Sequence, residues 1–475
     1  MRVKSFNAKI EDVTTSLSLL YCYHFRMKFE QNNSDQRVGL VWFTNNLRVQ
    51  DNECLTRASK EVDLLICVFF DEPQWSTPGR YGLKSLGDHR RRFLHETLLE
   101  LDSSLVNFDQ KLNVFKDAAS RVLPKLVKDH GITDVYASRQ AGWYELSCLQ
   151  RIVDDLPSAC RLQLLDTHTL FSLENLPCDY ERLPASFSKF RKMVEKEGEY
   201  VPIQSSFDNL PPAPKILEGV CDIENSSLTE SVDNAFTGGE RKAHQHLQRY
   251  FSSKSPSSYK TTRNELDGWT NSSKFSPWLA NGSLSVRTLV QELHDYEKIE
   301  GRNDSTYWIF FELLWREYFQ WYAHKIGLCL YAFNGISKKK PLTSFYAERF
   351  MKWCDGNTPY PLVNACMQEL KQTGFLSNRG RQIVASSLVN ELQLDWRYGA
   401  AYFEQQLLDY DVASNWGNWQ YIAGVGADPR GGRHFNLAKQ TEIYDAKGEY
   451  RAKWGASART QEALDSVDAA DWPIL

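Results

Sequence analysis

The chain divides into two unlike halves, an open α/β domain built on a parallel sheet and then an all-α domain. Three observations predict this. Five short apolar runs alternate with helical periods between Arg37 and Leu165. From Gly238 onward, helical periods follow one another across short loops, with no β-rich segment and no internal repeat. Between the halves lies a charged, proline-punctuated stretch that includes LENLPCDYERLPASFSKFRKMVEKEGEYVPI and NLPPAPKILEG. The expected organisation is an N-terminal extension (1–36), an α/β domain (37–170), an inter-domain connector (171–235) and a helical domain (236–475).

In chain order, residues 1–36 show no strand or helix period. Leu17–Tyr23 is too short to span a bilayer, and the segment lacks the order of a secretory signal. Met1–Arg26 is expected to be a start-site artefact or a loose arm. Arg37–Phe43 (RVGLVWF) reads as a buried strand, and the helix-like DNECLTRASKEV follows; if an ordinary strand-to-helix turn joins them, Asp51 is the N-cap. Asp63–Phe70, Lys111–Phe115, Thr133–Ala137 and Cys160–Leu165 supply four further strands; Ala118–His130 and Tyr144–Leu156 are helical. This alternation calls for right-handed crossovers and a parallel sheet. No GxGxxG opens the first helix, so a dinucleotide is not expected on that turn. The second half carries helical periods at Arg241–Phe251, Ser285–Lys298, Tyr307–Ile326, Leu342–Trp353, Leu362–Thr373, Arg379–Leu392 and Tyr398–Asp409.

A net charge of −4 over 475 residues means that any nucleic-acid site must be a local basic patch. Lys338, Lys339 and Lys340, with Arg379, Arg430 and Arg433, could form a phosphate-binding rim, or a solvated face. The ten cysteines form neither CxxC pairs nor zinc spacings. That pattern suits reduced thiols in a cytoplasmic protein and argues against an iron–sulfur cluster or other metal site.

Three segments carry chemistry. In SYKTTRNELDGWTNSSKFSPWLANGSLS, Ser272, Ser273 and Ser276 surround Lys274 just before an apolar helix. Hydroxyls, backbone N–H groups and one cation hold a diphosphate in this way, although a capped, serine-rich helix start looks the same. In FFELLWREYF, helical spacing brings Glu312, Trp315, Arg316 and Phe319 close to one face. A carboxylate and a large aromatic there can bond and stack a nucleobase, or make an ordinary salt bridge over a core tryptophan. The stretch 376–436 combines Arg379 and Arg381, Asp409 and Asp411, Asn415 and Asn418, and the aromatics Trp396, Trp416, Trp419 and Tyr421. A buried flavin that exchanges electrons through aromatic side chains needs that mixture.

Together these residues resemble the photolyase and cryptochrome family, most closely its DASH branch, from about Arg37 to Trp454. WFTNNLRVQDN resembles the family's WFRxDLRxxDN opening, and LPASFSKFRKMVE is similar to the DASH connector pattern F-x-x-FRK-x-VE. SSKFSPWLANGSLS resembles the phosphate-binding TSxFSPxLxxGxLS, preceded by the family's tyrosine at Tyr259. The resemblance implies FAD held by Tyr259, Ser272, Ser273, Lys274, Phe275 and Ser276. FFELLWREYF looks like NELIWREFY; that match implies that Glu312 and Trp315 contact a thymine dimer and that Arg316 reaches the flavin side. It further implies an Arg381–Asp409 ion pair beside the isoalloxazine, Asp411 at the ring edge, Asn378 on the cofactor and Asn415 facing flavin N5.

By the same match, Trp419 and Trp396 are the first two members of the family's electron-transfer chain. The third falls on Thr343, so either the chain exits by another aromatic, with Tyr346, Trp353 and Tyr322 as candidates, or photoreduction is slow. Asn378 occupies the place of the catalytic histidine of (6-4) photolyases. Gln382 and Tyr421 replace the Met and Trp of classical dimer photolyases, which is the DASH pattern; Arg379, Gln382 and Tyr421 then face DNA. The implied activity is FAD-dependent, blue-light-driven repair of cyclobutane pyrimidine dimers in UV-damaged DNA, preferentially single-stranded, by a monomer outside the membrane. The alternative is a blue-light photoreceptor that binds RNA or DNA without repair. The family's usual antenna, 5,10-methenyltetrahydrofolate, is expected at the domain junction, with Gln140 near the place of an expected glutamate.

Overall fold

Alternating apolar side chains fix the first half. In the computed structural model, which describes residues 36–197, 203, 207–214, 220, 235–338, 340–427 and 431–456, β1 (Val38–Phe43), β2 (Leu64–Phe70), β3 (Leu112–Phe115), β4 (Asp134–Ser138) and β5 (Arg161–Leu165) form one sheet. The strand order is β3-β2-β1-β4-β5, and every pairing is parallel. The crossover helices are α1 (Glu53–Glu61), α2 (Asp88–Val106), α3 (Ala119–Asp129) and α4 (Trp143–Asp155). Because successive strand residues point to opposite faces, Val41, Leu65 and Cys67 pack with Leu55 of α1 and Leu101 of α2. Leu40, Ile66 and Val68 pack with Leu123 of α3 and Ile152 of α4. The expected extension up to residue 35, most of the connector beyond Glu197, Lys339, Arg430 and the tail from Ser457 lie outside the described residues.

The helical half comprises α5 (Phe187–Glu197), α6 (Glu240–Phe251), α7 (Ser255–Thr262), α8 (Ser276–Asn281), α9 (Val286–Glu300), α10 (Asp304–Ile326), α11 (Ala347–Cys354), α12 (Pro361–Thr373), α13 (Asn378–Ser386), α14 (Trp396–Gln406), α15 (Val412–Ala423), α16 (Leu437–Tyr444) and α17 (Glu449–Lys453). Its axis is the 23-residue α10, opened by an Asn303 capping box. Glu317 on α10 is fully buried, yet satisfied. It accepts from Leu170 N at 2.8 Å, Phe171 N at 3.2 Å and Trp321 Nε1 at 2.7 Å, which ties the start of the connector to the helix. Phe187, Phe190 and Val194 of α5 are buried in the same core. This connector helix therefore packs into the core rather than lying solvated on the surface.

Some expectations need correction. Asn52, not Asp51, caps α1, its side chain accepting from Cys54 N at 3.2 Å. Asp51 instead turns inward at φ +48° and joins the two halves. It accepts from Arg287 Nε at 2.9 Å and from the Ser285 hydroxyl, beside Arg48. Arg48 donates to Gly282 O and Thr167 O, both at 2.9 Å, and burial pulls its guanidinium down to about 10. Gly282 sits at φ +75°, and a Cβ there would lie 1.8 Å from Asn45 O, so only glycine permits this approach.

The helix expected from Leu342 begins at Ala347; Leu342 itself is exposed and Ser344 bridges to Leu394. The helix expected to end at Leu392 leaves α-geometry after Ser386 and finishes as a π-turn over Ser387–Glu391. Helix α2 was not expected, nor was α15, which is buried almost all round and so shows little amphipathic period.

Candidate functional site

Residues from six segments converge on a cavity of about 340 Å³ in the helical half. That volume falls in the range of small-molecule sites. Helix α7 contributes Tyr259 and, one turn later, Arg263. Burial pushes the Tyr259 phenol up to about 12. The loop into α8 contributes Ser272, Ser273, Lys274, Phe275 and Ser276. The loop is pinned by His246 Nε2 donating to Ser273 O at 2.8 Å, and Lys274 adopts φ +56° within it. The Lys274 ammonium lies 4.8 Å over the Phe375 ring and has no ion pair among the described residues. Burial pulls its pKa down to about 8.

Asn378, Arg381 and Gln382 reach the cavity from α13. Arg381 donates to Asp409 Oδ2 at 2.8 Å and, through Nε, to Leu376 O at 2.8 Å. The other Asp409 oxygen, Oδ1, is buried without a partner among the described residues. Asn415, Trp419 and Tyr421 arrive from α15. Asn415 Nδ2 donates to Ala400 O at 3.0 Å, which leaves its Oδ1 unpartnered among the described residues. Trp419 fits only because Gly399 faces it; a Cβ there would lie 2.3 Å from the indole.

These residues fit FAD. A half-buried cation with no ion pair among the described residues, beside serine hydroxyls, suits a diphosphate, and a buried carboxylate oxygen and a fixed amide suit the edge of a hydrogen-bonding ring.

The remaining expected residues occupy distinct places. Glu312 lines the cavity, with its side chain 30% exposed, and pairs with Arg263 at 2.6 Å. Burial pushes its pKa up, and Arg263 opposes that. Arg316 and Asp411 line the cavity but are already engaged. Arg316 donates to His168 O at 2.7 Å and approaches His168 Nε2 at 2.6 Å. His168 Nε2 thus accepts from a cation, and its 3.4 Å contact with Asp411 is not an ion pair. Burial first, then Arg316, holds the imidazole at about 4. Asp411 caps α15 through Ser414 N at 2.7 Å and receives Gln320 Nε2 at 2.9 and 2.8 Å. Desolvation pushes its carboxyl up, but the Arg316 cation and the Ser414 N–H outweigh that and hold it below the usual range.

Two expected DNA contacts are placed differently. Trp315 is not among the residues lining the cavity. Its ring stacks on Phe187 at 3.8 Å and 14°, and it meets Tyr421 edge to face at 5.9 Å. Arg379 donates to Asn264 Oδ1 at 3.1 Å and lies 5.0 Å over the Tyr444 ring, so it braces α13 against α16. Trp396 is fully buried behind the cavity, donating to Phe333 O at 3.0 Å. The sequence reading missed Arg263, His168 and Phe187; only Arg263 left a signal, its i, i+4 spacing from Tyr259.

A second cavity of about 600 Å³ lies between the sheet and the helical half. Gln140, Trp42, Trp143 and Tyr81 line it, as do Glu145 and Glu404. Burial pushes Glu404 up to about 7, and Glu145 upward as well. Ala280, Tyr410 and Asp411 line both cavities. Among the described residues, no group of His, Cys, Asp and Glu could hold a metal, and no helix is long and apolar enough to cross a membrane.

Comparison with known proteins agrees with this geometry. Residues 39–215 match the family model described as DNA photolyase, and residues 308–464 match the FAD binding domain of DNA photolyase. The chain is 50% identical over 444 residues to Cryptochrome DASH of Idiomarina loihiensis, covering 93% of this chain and 97% of the relative. It is 46% identical over 441 residues to that of Vibrio parahaemolyticus, covering 92% and 98%. Among solved structures, a Synechocystis cryptochrome superposes with TM-score 0.83 at 39% identity over 88% of each chain. A class III photolyase from Agrobacterium tumefaciens superposes with TM-score 0.75 at 25% identity, over 90% of this chain and 88% of that one. The chain belongs to the DASH cryptochromes of the photolyase family and carries their FAD-binding domain.

Proposed function

We propose that this chain repairs cyclobutane pyrimidine dimers in UV-damaged DNA by light-driven electron transfer, with single strands as its preferred substrate. The observation that carries this reading is a shared cavity. Glu312, Gln382 and Tyr421 line the same space as Lys274, Asp409 and Asn415, so a base seated against the first group lies against the cofactor held by the second. FAD bound there supplies the light absorption and the transferred electron. The Arg381–Asp409 pair and the Asn415 amide present fixed charge and dipoles where charge develops. Glu312, held by Arg263 at 2.6 Å, presents a carboxyl to the polar edge of a thymine ring seated in this space. Extruding a lesion from duplex costs a few kcal/mol, and less from a single strand. The polar Gln382 and the single-ring Tyr421 offset that cost weakly, which supports the strand preference.

One observation favours the alternative of a blue-light photoreceptor that binds DNA or RNA without repair: Trp315 is already stacked on Phe187. The deciding experiment illuminates the reduced, flavin-loaded protein with dimer-containing oligo-dT, single-stranded and duplex, and follows recovery of base absorbance. Light-dependent recovery on single strands, lost in Glu312→Ala, is expected. No recovery from a flavin-loaded sample moves the weight to the photoreceptor.

In the same reading, the chain divides at residues 170 and 236, and the second cavity holds the antenna, 5,10-methenyltetrahydrofolate, against Gln140. The protein acts as a monomer in the reduced cytoplasm, consistent with eight free described cysteines.

A further inference from the structure

Two aromatic paths, one of them starting at the first cavity, end on one half-buried tyrosine. Trp419 lines the cavity and meets Trp353 edge to face, with 6.3 Å between ring centroids. Trp353 stacks on Phe350 at 6.2 Å, and Phe350 meets Tyr398 at 5.7 Å. The other path starts at the buried Trp396, touches Trp416 at 5.8 Å and Tyr81 at 6.3 Å, and reaches Tyr398 at 5.0 Å. Thr343, where a third tryptophan is expected, offers nothing that can be oxidised by one electron; its hydroxyl is buried.

An aromatic ring that gives up an electron becomes strongly acidic. It holds the vacancy only if its proton escapes, so the last donor must reach water. That requirement ranks the candidates. Trp353 is fully buried, its N–H bonded to Val384 O at 3.1 Å. Tyr322 is 2% exposed and donates to Gln420 Oε1 at 3.1 Å. Tyr346 carries the Arg349 cation 4.6 Å over its ring, which makes a positive vacancy there costly. Tyr398 is half-buried, and its ring stacks at 3.9 Å on the exposed Phe345 at the molecular surface.

We propose that Tyr398 is the terminal electron donor of this chain, feeding light-driven reduction of the cofactor by way of Trp353 and Trp419. The proposal rests on FAD occupying the first cavity. With FAD in the first cavity, the Trp419 ring would give one electron to its photoexcited oxidised form, which would be the oxidant. The vacancy moves to Trp353 and then to Tyr398. There the phenolic O–H bond breaks, the proton passes to water, and a neutral tyrosyl radical remains. A thiol in solution returns one hydrogen atom.

Flash photolysis of the oxidised, flavin-loaded protein tests this, with transient absorption and electron paramagnetic resonance as readouts. Flavin absorbance in the dark first establishes loading of each variant. The wild type is expected to show a long-lived tyrosyl radical. Tyr398→Phe loses it and leaves a short-lived tryptophanyl radical, and Tyr398→Trp restores a long-lived aromatic radical. A tyrosyl signal that survives in Tyr398→Phe, or that is lost in Tyr81→Phe instead, overturns the proposal. So does a loaded wild type that forms tryptophanyl radicals alone. A chain that takes up no flavin overturns the cofactor reading, and this one with it.

Discussion

His168 sits among charged neighbours and carries no charge of its own. Arg316 donates toward its Nε2, and Asp411 lies 3.4 Å away. Its pKa, near 6.5 in an unfolded chain, stands at about 4 here. Between those values the native protein binds fewer protons than the unfolded one, so stability rises with pH across that window. The contribution is complete above pH 6.5 and is lost as the pH falls through 6.5 toward 4. Denaturant titrations at pH 7 and pH 4 should show wild type losing about 3 kcal/mol relative to His168→Gln over that drop. Equal slopes in the two proteins would remove His168 as the source. Side chains such as Lys274, Arg381 and Asp409 were legible because each sits in a short segment whose mixture of residue types suits a flavin. His168 was not legible, since its partner Arg316 lies 148 residues away.

The same contrast holds for elements. The strands were legible from their apolar runs, as was α10 from its long helical period. Helix α15 was not, because both its faces are buried and the periodic signal cancels. Helix α5 was legible only as part of the connector, not as core. Its Phe187 packs on Trp315, Phe311 and Tyr318 of α10, and no pattern within α5 names that partner. Phe187→Ala is expected to cost about 3–5 kcal/mol, the range for truncating a buried aromatic, measured by equilibrium denaturation. A cost under about 1 kcal/mol would mean that α5 lies loosely on α10 in solution.

At the scale of the whole molecule, the two halves are held by a buried charge cluster. Asp51, from the turn before α1, meets Arg287 of α9, while Arg48 crosses to Gly282 and bonds Thr167 of its own half. Removing the carboxylate strands two buried guanidinium groups, and breaking such a pair costs about 3–5 kcal/mol. Asp51→Ala should therefore lower the denaturation midpoint and expose the seam to limited proteolysis, whereas a variant as resistant as wild type would show that apolar packing alone joins the halves. The sequence marked this segment as a family opening but read Asp51 as a helix cap. A turn residue that bonds across the seam is indistinguishable, in one dimension, from one that bonds to its own helix.

The shared wall of Ala280, Tyr410 and Asp411 is one layer of side chains with a chamber on either side. A guest that shifts this layer from one chamber changes the room offered in the other. Occupancies of the two chambers are then linked quantities, and the linkage has equal strength in both directions. An occupant of the space between the sheet and the helices that moved this layer would also tune how tightly the inner chamber holds its own occupant.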